Sequence, residues 1–222
     1  MTEAESIQAK TSQSSVVGSK EKIIHVAHEL FAQKGFQKTS VRDIAAGAQV
    51  NVAMINYYFD SKDQLFWDVY FYSREVLRSK IAEVASEKKD FEESMIAIFQ
   101  FLVHESDLLR NSFLLIISNS NPPMTDQVLN RIDPNEFGPP GGEFLMRLLS
   151  QEVPTSVTQK EKEWMIQTLM MDALMWAMMM SSSICGTIMK MRDELDLEKR
   201  TAAMRLHVRA LKAQLLAPSG AG

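Results

Sequence analysis

The chain has 222 residues, of which 45% are hydrophobic and 23% charged, and this is the composition of an ordinary globular protein. The apolar fraction excludes a wholly disordered chain, and one cysteine excludes both a disulfide framework and a cysteine-based zinc cluster. Residues 1–20 show no basic segment followed by an apolar one, so no secretory signal is predicted and we expect a cytoplasmic protein.

The net charge of −4 does not by itself indicate a nucleic-acid-binding protein. Residues 19–66 carry six basic and five acidic side chains, a net charge of +1, whereas residues 67–222 carry −4. This segregation of charge is too weak to indicate a function.

The N-terminal region predicts a polar arm followed by an amphipathic helix. Residues 1–18 are rich in Ser, Thr and Gln and are expected to be mobile. From Ser19 the pattern is helical, and Gly35 stands where a glycine commonly ends a helix. Four apolar residues share one face of this helix: Ile23, Ala27, Leu30 and Phe31.

Two short helices and a long one follow. Ser40 and Asp43 form a predicted capping box that opens the first of them, and Gly47 to Val50 is predicted to be a turn. Asn51 can cap a further short helix that runs to about Tyr58. A second capping box, Ser61 with Gln64, opens a long helix through about residue 85.

Beyond residue 90 the sequence predicts only helices and irregular connections, so the fold class is all-α. Five of the seven prolines lie in 122–140, which we expect to be irregular. The predicted organisation is an arm (1–18), a helix-turn-helix domain (19–66), a ligand-binding and dimerisation domain (67–217) and a tail (218–222).

The residues of the short helices resemble a known family. The matching strings are Leu30-Phe31-x-x-x-Gly35-Phe36, Thr39-Ser40-Val41-Arg42-Asp43-Ile44-Ala45, Ala48-x-Val50, and Ile55-x-Tyr57-Tyr58-Phe59-x-Ser61-Lys62-x-x-Leu65. Together they resemble the TetR (tetracycline-repressor) family of bacterial transcription regulators. The resemblance implies a homodimer that binds double-stranded DNA through its head, and a divergent helical domain for small-molecule effectors.

Several residues are candidates for DNA contact on chemical grounds. Thr39 and Ser40 stand at a helix N-terminus, where backbone N–H groups favour a phosphate, and Lys62 adds a cation beside another such terminus. Arg42 is within reach of a phosphate or a base edge. The outward candidates on the recognition helix are Asn51, Val52, Ala53, Asn56, Tyr57 and Tyr58.

Two points about this helix stay open. Either tyrosine can instead be a packing aromatic. No arginine or lysine lies on the helix, so guanine reading falls to Arg42 or is weak, and an A/T-leaning site is expected.

A Met-rich helix is predicted over 160–192, and residues 165–191 hold nine of the fifteen methionines. A membrane span is disfavoured by Asp172 and by three consecutive serines. An effector cavity for a flat, apolar molecule is one expectation, with Asp172 as its polar anchor, and a buried Asp172 that is paired with an arginine is an equal alternative. The candidate ligand-binding residues are His104, Thr168, Asp172, Met175 and Trp176.

A dimer interface is expected on this helix and on the last one, Leu197–Leu216, with a purely intrachain core as the alternative. The candidate interface residues are Ser182, Gly186, Met204, Val208, Leu211 and Leu215. No catalytic constellation is found, so neither an enzyme nor a metal or other cofactor is predicted. A DNA-binding regulator without a small-molecule effector, controlled by a protein partner or by abundance, remains the alternative function.

Overall fold

Every element of secondary structure among the described residues is helical. The computed structural model describes residues 3–88, 90–117, 121–133, 138–180, 182, 187 and 196–217, with side chains from residue 18 onward except 106–108. Helices with described bounds are α1 (Glu3–Lys34), α2 (Val41–Ala48), α3 (Val52–Phe59), α4 (Lys62–Ser86), α5 (Phe91–His104), α6 (Ser106–Ile117), α7 (Asp126–Leu129), α8 (Gly142–Glu152), α9 (Gln159–Met180) and α10 (Leu197–Leu216). The predicted all-α class is confirmed.

The chain divides into two compact units. The first, here called the head, comprises the chain through Arg74 together with Asn111–Ile132, and the second, here called the body, comprises Glu75–Arg110 and the chain from Asp133 onward. The chain passes from the first unit to the second after Arg74, whereas the sequence predicts a boundary after residue 66. The first part of α4 belongs to the head because its apolar side chains, such as Val69, are buried in the head core.

The head core is built from the apolar faces of α1 to α4, with Leu115 of α6 and Val128 of α7. Three phenylalanine rings meet at its centre, with Phe66 lying 5.4 Å from Phe31 and 5.5 Å from Phe36 between ring centroids. Burying each ring stabilises the fold by about 1.5–3 kcal/mol, and edge contacts between rings add a further contribution. Other fully buried members are Ile23, Ala27, Ile44, Ile55, Phe59 and Leu65.

The first helix begins earlier than the sequence suggested. It starts at Glu3 rather than at Ser19, so the segment predicted to be a mobile arm is helical from residue 3. Residues 3–17 contain neither glycine nor proline, and nothing in them breaks a helix that the buried face from Ile23 onward already stabilises.

Gly47 lies inside α2 and not in the turn that follows it. A Cβ at this position would lie 2.7 Å from Cγ1 of Val26, so the absence of a side chain lets α2 approach α1 closely. The residue that turns the chain is Gln49, at φ 57° and ψ 42°, and its amide donates to the last carbonyls of α2. The predicted turn is therefore confirmed at Gln49 and Val50 and wrong at Gly47 and Ala48, which belong to α2.

The body core is formed by α5, α8, α9 and α10 with the second part of α4. Large apolar residues fill it with almost no exposure, among them Phe91, Met95, Phe99, Leu145, Met165 and Leu169. Glu92 on α5 accepts hydrogen bonds from Arg209 and Arg205 on α10, and these bonds hold its pKa at about 2. Glu152 at the end of α8 accepts from the amide of Phe91 at 2.6 Å.

The Met-rich helix α9 ends at Met180, short of the predicted residue 192. Most of 181–195, including the predicted interface residue Gly186, lies outside the described residues. Within the part of the chain that is described, the helices are all too short or too polar to cross a membrane.

Candidate nucleic-acid interface

The N-terminus of α2 is closed by the predicted capping box. Oγ of Ser40 accepts from the amide of Asp43 at 3.1 Å, and Oδ2 of Asp43 accepts from the amide of Ser40 at 3.1 Å. These hydrogen bonds with Ser40, chiefly that of its backbone, lower the pKa of the Asp43 carboxyl. By helix geometry the amides of Val41 and Arg42 have no intrahelical acceptor, so they can donate to a phosphate.

The helix α3 presents a narrow outward face. Oδ1 of Asn51 accepts from the amide of Met54 at 2.8 Å and so caps the helix. Ile55 and Phe59 point into the head core, as the spacing predicts. Tyr57 is 80% exposed. The other predicted residues of this face, Val52, Ala53 and Asn56, are also exposed.

Tyr58 occupies an intermediate position. It is half-buried, and its ring lies edge-on to Tyr57 at 5.3 Å and to Phe59 at 6.0 Å between centroids. Its ring therefore packs against the aromatic side of α3, whereas Tyr57 projects from the surface. The role of each residue toward DNA remains a prediction.

Thr39 does not present its hydroxyl to a duplex. The residue is 1% exposed, and Oγ1 lies 3.1 Å from the carbonyl oxygen of Leu30 and 2.9 Å from that of Gly35, to which it donates. The side chain closes the turn between α1 and α2. The side chain of Thr39 is thus occupied within the protein, because a buried hydroxyl bonds to nearby carbonyls, and a contact of its backbone with phosphate stays a prediction.

Lys62, predicted as a cation beside a helix N-terminus, contacts the protein itself. Its Nζ donates to the carbonyl oxygens of Phe36 at 3.1 Å and Thr39 at 3.2 Å. The same nitrogen lies 4.1 Å from the centroid of the Phe36 ring. Sequence spacing could not reveal this contact, since the partners are 26 and 23 residues away.

The junction between α3 and α4 is tight. Asp60 adopts φ 57° and ψ −46°, a left-handed conformation that side chains disfavour. Ser61 caps α4 through the amide of Gln64 at 3.1 Å. The side chain of Gln64 donates to Asp68 at 3.0 Å, so the predicted capping box is only half formed.

In the body, the predicted ligand residues on α9 lie on an outward side. Thr168 donates its hydroxyl to the carbonyl of Trp164 at 2.8 Å, and Met175 is 51% exposed. Asp172 pairs with Nδ1 of His207 on α10 at 2.9 Å. The anchor expected in a cavity is thus a bridge between two helices at the surface.

The remaining ligand candidates are also separated from one another. His104 is exposed in the last turn of α5. Trp176 is half-buried under the guanidinium of Arg200, whose Cζ lies 3.9 Å from the ring centroid. An open groove of about 620 Å³ lies between α5 and α10, and none of the predicted ligand residues lines it.

The predicted interface residues of α10 lie inside the body core. Met204, Val208 and Leu211 are 8% exposed or less, so this stripe packs within its own chain. Leu215 is partly buried against the same core, and Ser182 is half-buried beyond the end of α9. The intrachain alternative therefore holds for α10.

Apolar side chains that do face outward on α9 and α10 are a different set. They are Trp164, Met171 and Met175 on α9 and Leu206 on α10. Sequence reasoning missed them because α9 is apolar on nearly every side, so its periodicity does not say which side is covered. For the described ranges, no group of three or more His, Cys, Asp and Glu side chains is placed to hold a metal ion.

Two short helices joined by a tight turn, the second with an exposed outer face, define a helix-turn-helix protein. Residues 23–69 match the model of the bacterial regulatory proteins of the tetR family. The probable HTH-type transcriptional regulator YttP of Bacillus subtilis (strain 168) is 42% identical over 80 residues. That match covers 33% of this chain and 39% of the relative's length.

Solved structures share the fold over most of the chain. A TetR family transcription regulator from Marinobacter aquaeolei VT8 is similar with a TM-score of 0.54 at 16% identity, over 90% of this chain and 97% of that one. The fatty acid degradation regulator FadR from Bacillus halodurans is similar with a TM-score of 0.53 at 17% identity, over 90% of this chain and 99% of that one. AibR, solved with isovaleryl coenzyme A and operator DNA, is similar with a TM-score of 0.59 at 14% identity, over 84% of this chain and 96% of that one.

The head sequence and the whole-chain fold agree. Residues 23–69 carry the sequence of a tetR-family DNA-binding segment, and most of the chain shares the fold of solved TetR-type regulators.

Proposed function

We propose that the chain is a homodimeric, ligand-responsive repressor that binds a palindromic operator in double-stranded DNA. The observation that supports this most is the outward face of α3, with Tyr57 80% exposed, beside the capped N-terminus of α2. A regulator that binds chromosomal DNA acts in the bacterial cytoplasm, and this localisation is part of the proposal.

In this proposal α3 enters the major groove and α2 crosses the backbone. Asn56 and Tyr57 are exposed on α3, where they can meet base edges and phosphates. The amide of Arg42 and its exposed guanidinium lie at the first turn of α2 and can hold a phosphate. Since α3 contains no lysine or arginine, we expect an A/T-leaning operator.

A palindromic operator requires two heads about 34–36 Å apart, and therefore a dimer. The exposed apolar residues Trp164, Met171, Met175 and Leu206 support a dimer surface on α9 and α10. The pair of Asp172 with His207 joins the two helices at this surface. A partner subunit packed here would cover side chains that otherwise remain about half exposed or more.

An apolar or aromatic effector is the second part of the proposal. AibR, which shares this fold, was solved with isovaleryl coenzyme A, and this supports an acyl or similarly apolar effector for the body. A coupling of about 1–3 kcal/mol between effector and operator would change operator affinity severalfold to a hundredfold. The second candidate is a DNA-binding regulator controlled by a protein partner or by its abundance.

The experiment is selection of fragments from the source genome with the purified protein, followed by affinity measurements on the recovered duplex. We expect a dimer that loses about tenfold in affinity on Tyr57→Ala with unchanged thermal stability, because an exposed side chain contributes little to folding. A monomer, or negligible affinity for every duplex at low ionic strength, would refute the proposal.

The effector is tested separately with the same protein. Short-chain acyl-coenzyme A thioesters and flat aromatic compounds are added to the protein–operator complex. A rise in melting temperature of the free protein together with release of the operator supports the ligand-responsive function. Operator binding that none of these compounds changes favours control by a protein partner or by abundance.

A further inference from the structure

The first residue of α4 is bound to the turn that precedes α2. Nζ of Lys62 donates to the carbonyl oxygens of Phe36 and Thr39, at 3.1 and 3.2 Å, and lies over the Phe36 ring. We call this arrangement the Lys62 clamp. An ammonium group has three N–H donors, so the clamp uses two of them. Both hydrogen bonds are charge-assisted and therefore stronger than bonds between neutral groups.

The same turn is also held from the inside. The ring of Phe36 packs against Phe31 of α1 and Phe66 of α4, with centroids 5.8 and 5.5 Å away. The hydroxyl of Thr39 donates to carbonyls at the end of α1. The turn is therefore anchored to α1 by Thr39 and to α4 by Phe36 and Lys62.

The N-cap of α2 follows this turn directly. Thr39, whose carbonyl Lys62 binds, is the residue before Ser40, and Ser40 caps the helix that presents the amides of Val41 and Arg42. Through the hydrogen bond from Lys62 to Thr39, the start of α4 is connected to the amides of Val41 and Arg42 by only two residues, Thr39 and Ser40. The chain itself connects α4 to α3 through Asp60 and Ser61, so the clamp is a separate connection to α2.

We propose that Lys62 is a positioning residue that ties the first turn of α4 to the phosphate-binding N-terminus of α2, so that a displacement of α4 also displaces Arg42. The proposal rests on the proposed function, since it concerns how DNA binding by the head is regulated. It assigns to Lys62 a contact within the protein where the sequence predicted a contact with DNA.

The rival interpretation is that Lys62 acts only as a cation near the backbone of DNA. Lys38 offers a matched control, because it lies in the same turn, is exposed, and forms no hydrogen bond or ion pair within the described part of the chain. Lys62→Met and Lys38→Met each remove one positive charge and keep an unbranched apolar side chain. Only the first of them removes the clamp.

The first measurement needs no DNA. Hydrogen exchange is followed at the amides of Ile44 and Ala45, the first hydrogen-bonded amides of α2 after Asp43. We expect about tenfold faster exchange in Lys62→Met, no change in Lys38→Met, and rescue by Lys62→Arg, whose guanidinium can donate to the same carbonyls. Equal exchange in Lys62→Met and in the wild type would overturn the proposal.

Lys62→Gln covers the case in which Lys62→Met does not fold, because its amide can still donate to a carbonyl. The amides of Ile44 and Ala45 in Lys62→Gln should then exchange about two- to tenfold faster than in the wild type. A Lys62→Gln variant with wild-type exchange would contradict the clamp.

The second measurement uses the operator duplex and a double-mutant cycle. We expect Lys62→Met to weaken binding about tenfold in the wild type and in Tyr57→Ala, but about twofold or less in Arg42→Ala, because its effect passes through α2. In the Arg42→Ala background, Lys62→Met should not change the slope of the logarithm of operator affinity against the logarithm of salt concentration. If Lys62→Met reduces the magnitude of this slope by about 0.9, Lys62 contacts a phosphate directly and the positioning role is refuted.

The two proposals fail in different ways. If the wild type binds no duplex, the proposed function fails, and hydrogen exchange at α2 still decides whether the clamp exists. If the wild type binds DNA and the cycle with Arg42 is additive, the proposed function stands and the positioning role of Lys62 is refuted.

Discussion

The substitution Gly141→Ala tests the packing of the body at a single atom. Gly141 precedes α8 at φ 85° and ψ 1°, a conformation that disfavours any residue with a side chain. A Cβ built there would overlap Cγ2 of Ile81, a buried residue of α4. The backbone conformation costs about 1–2 kcal/mol and the overlap about 1–3 kcal/mol, so we expect a loss of about 2–5 kcal/mol in the free energy of unfolding.

The measurement is denaturation by urea, followed by circular dichroism, with Gly138→Ala as the control. Gly138 also has a positive φ of 62°, but its nearest neighbouring atom, Cγ of Gln167, lies 3.8 Å from the added Cβ. The control should therefore lose only the backbone contribution of about 1–2 kcal/mol. If Gly141→Ala destabilises the protein no more than Gly138→Ala does, the inferred contact with Ile81 is wrong.

Three further predictions concern single residues. Thr39→Val should lower the free energy of unfolding by about 1–3 kcal/mol, because the carbonyls of Leu30 and Gly35 lose the hydroxyl that shares its one hydrogen between them; an unchanged melting temperature with weakened operator binding would instead indicate a direct DNA contact. Asp60→Gly should stabilise the protein by about 0.5–1 kcal/mol by relieving the left-handed backbone, whereas Asp60→Ala should not, as thermal unfolding can show. Glu92, with its pKa lowered from 4.5 to about 2, stabilises the fold above the higher value and loses this contribution as the pH falls between the two values. Glu92→Gln should remove that part of the acid dependence, and identical pH profiles for the two proteins would contradict it.

The local signals in the head sequence were sufficient to predict its helices. Ser40 with Asp43, Asn51 and Ser61 each stand at the helix start that the sequence predicted, since a capping side chain bonds to an amide only three residues away. The inward direction of Ile55 and Phe59 followed equally from helical spacing. These interactions join residues that are close in the chain, so they can be predicted from the spacing of residue types.

The partners of Thr39 and Lys62 could not be found in this way. Lys62 meets carbonyls more than twenty residues away, and the three phenylalanine rings that shape the turn come from α1, the turn itself and α4. Gly47 was likewise assigned to a turn because its contact with Val26 of α1 is invisible in the sequence. In each case, only packing between helices determined the role of the residue.

The sequence by itself determined the all-α class, the caps and the helix-turn-helix head, because each depends on residues within one or two helical turns of each other. The tertiary structure alone decided which sides of α9 and α10 are covered. It placed Met204 and Val208 in the core and left Met175 and Leu206 exposed. The physical reason is that an apolar helix gains by burying any of its sides, and the neighbouring helices decide which sides are buried.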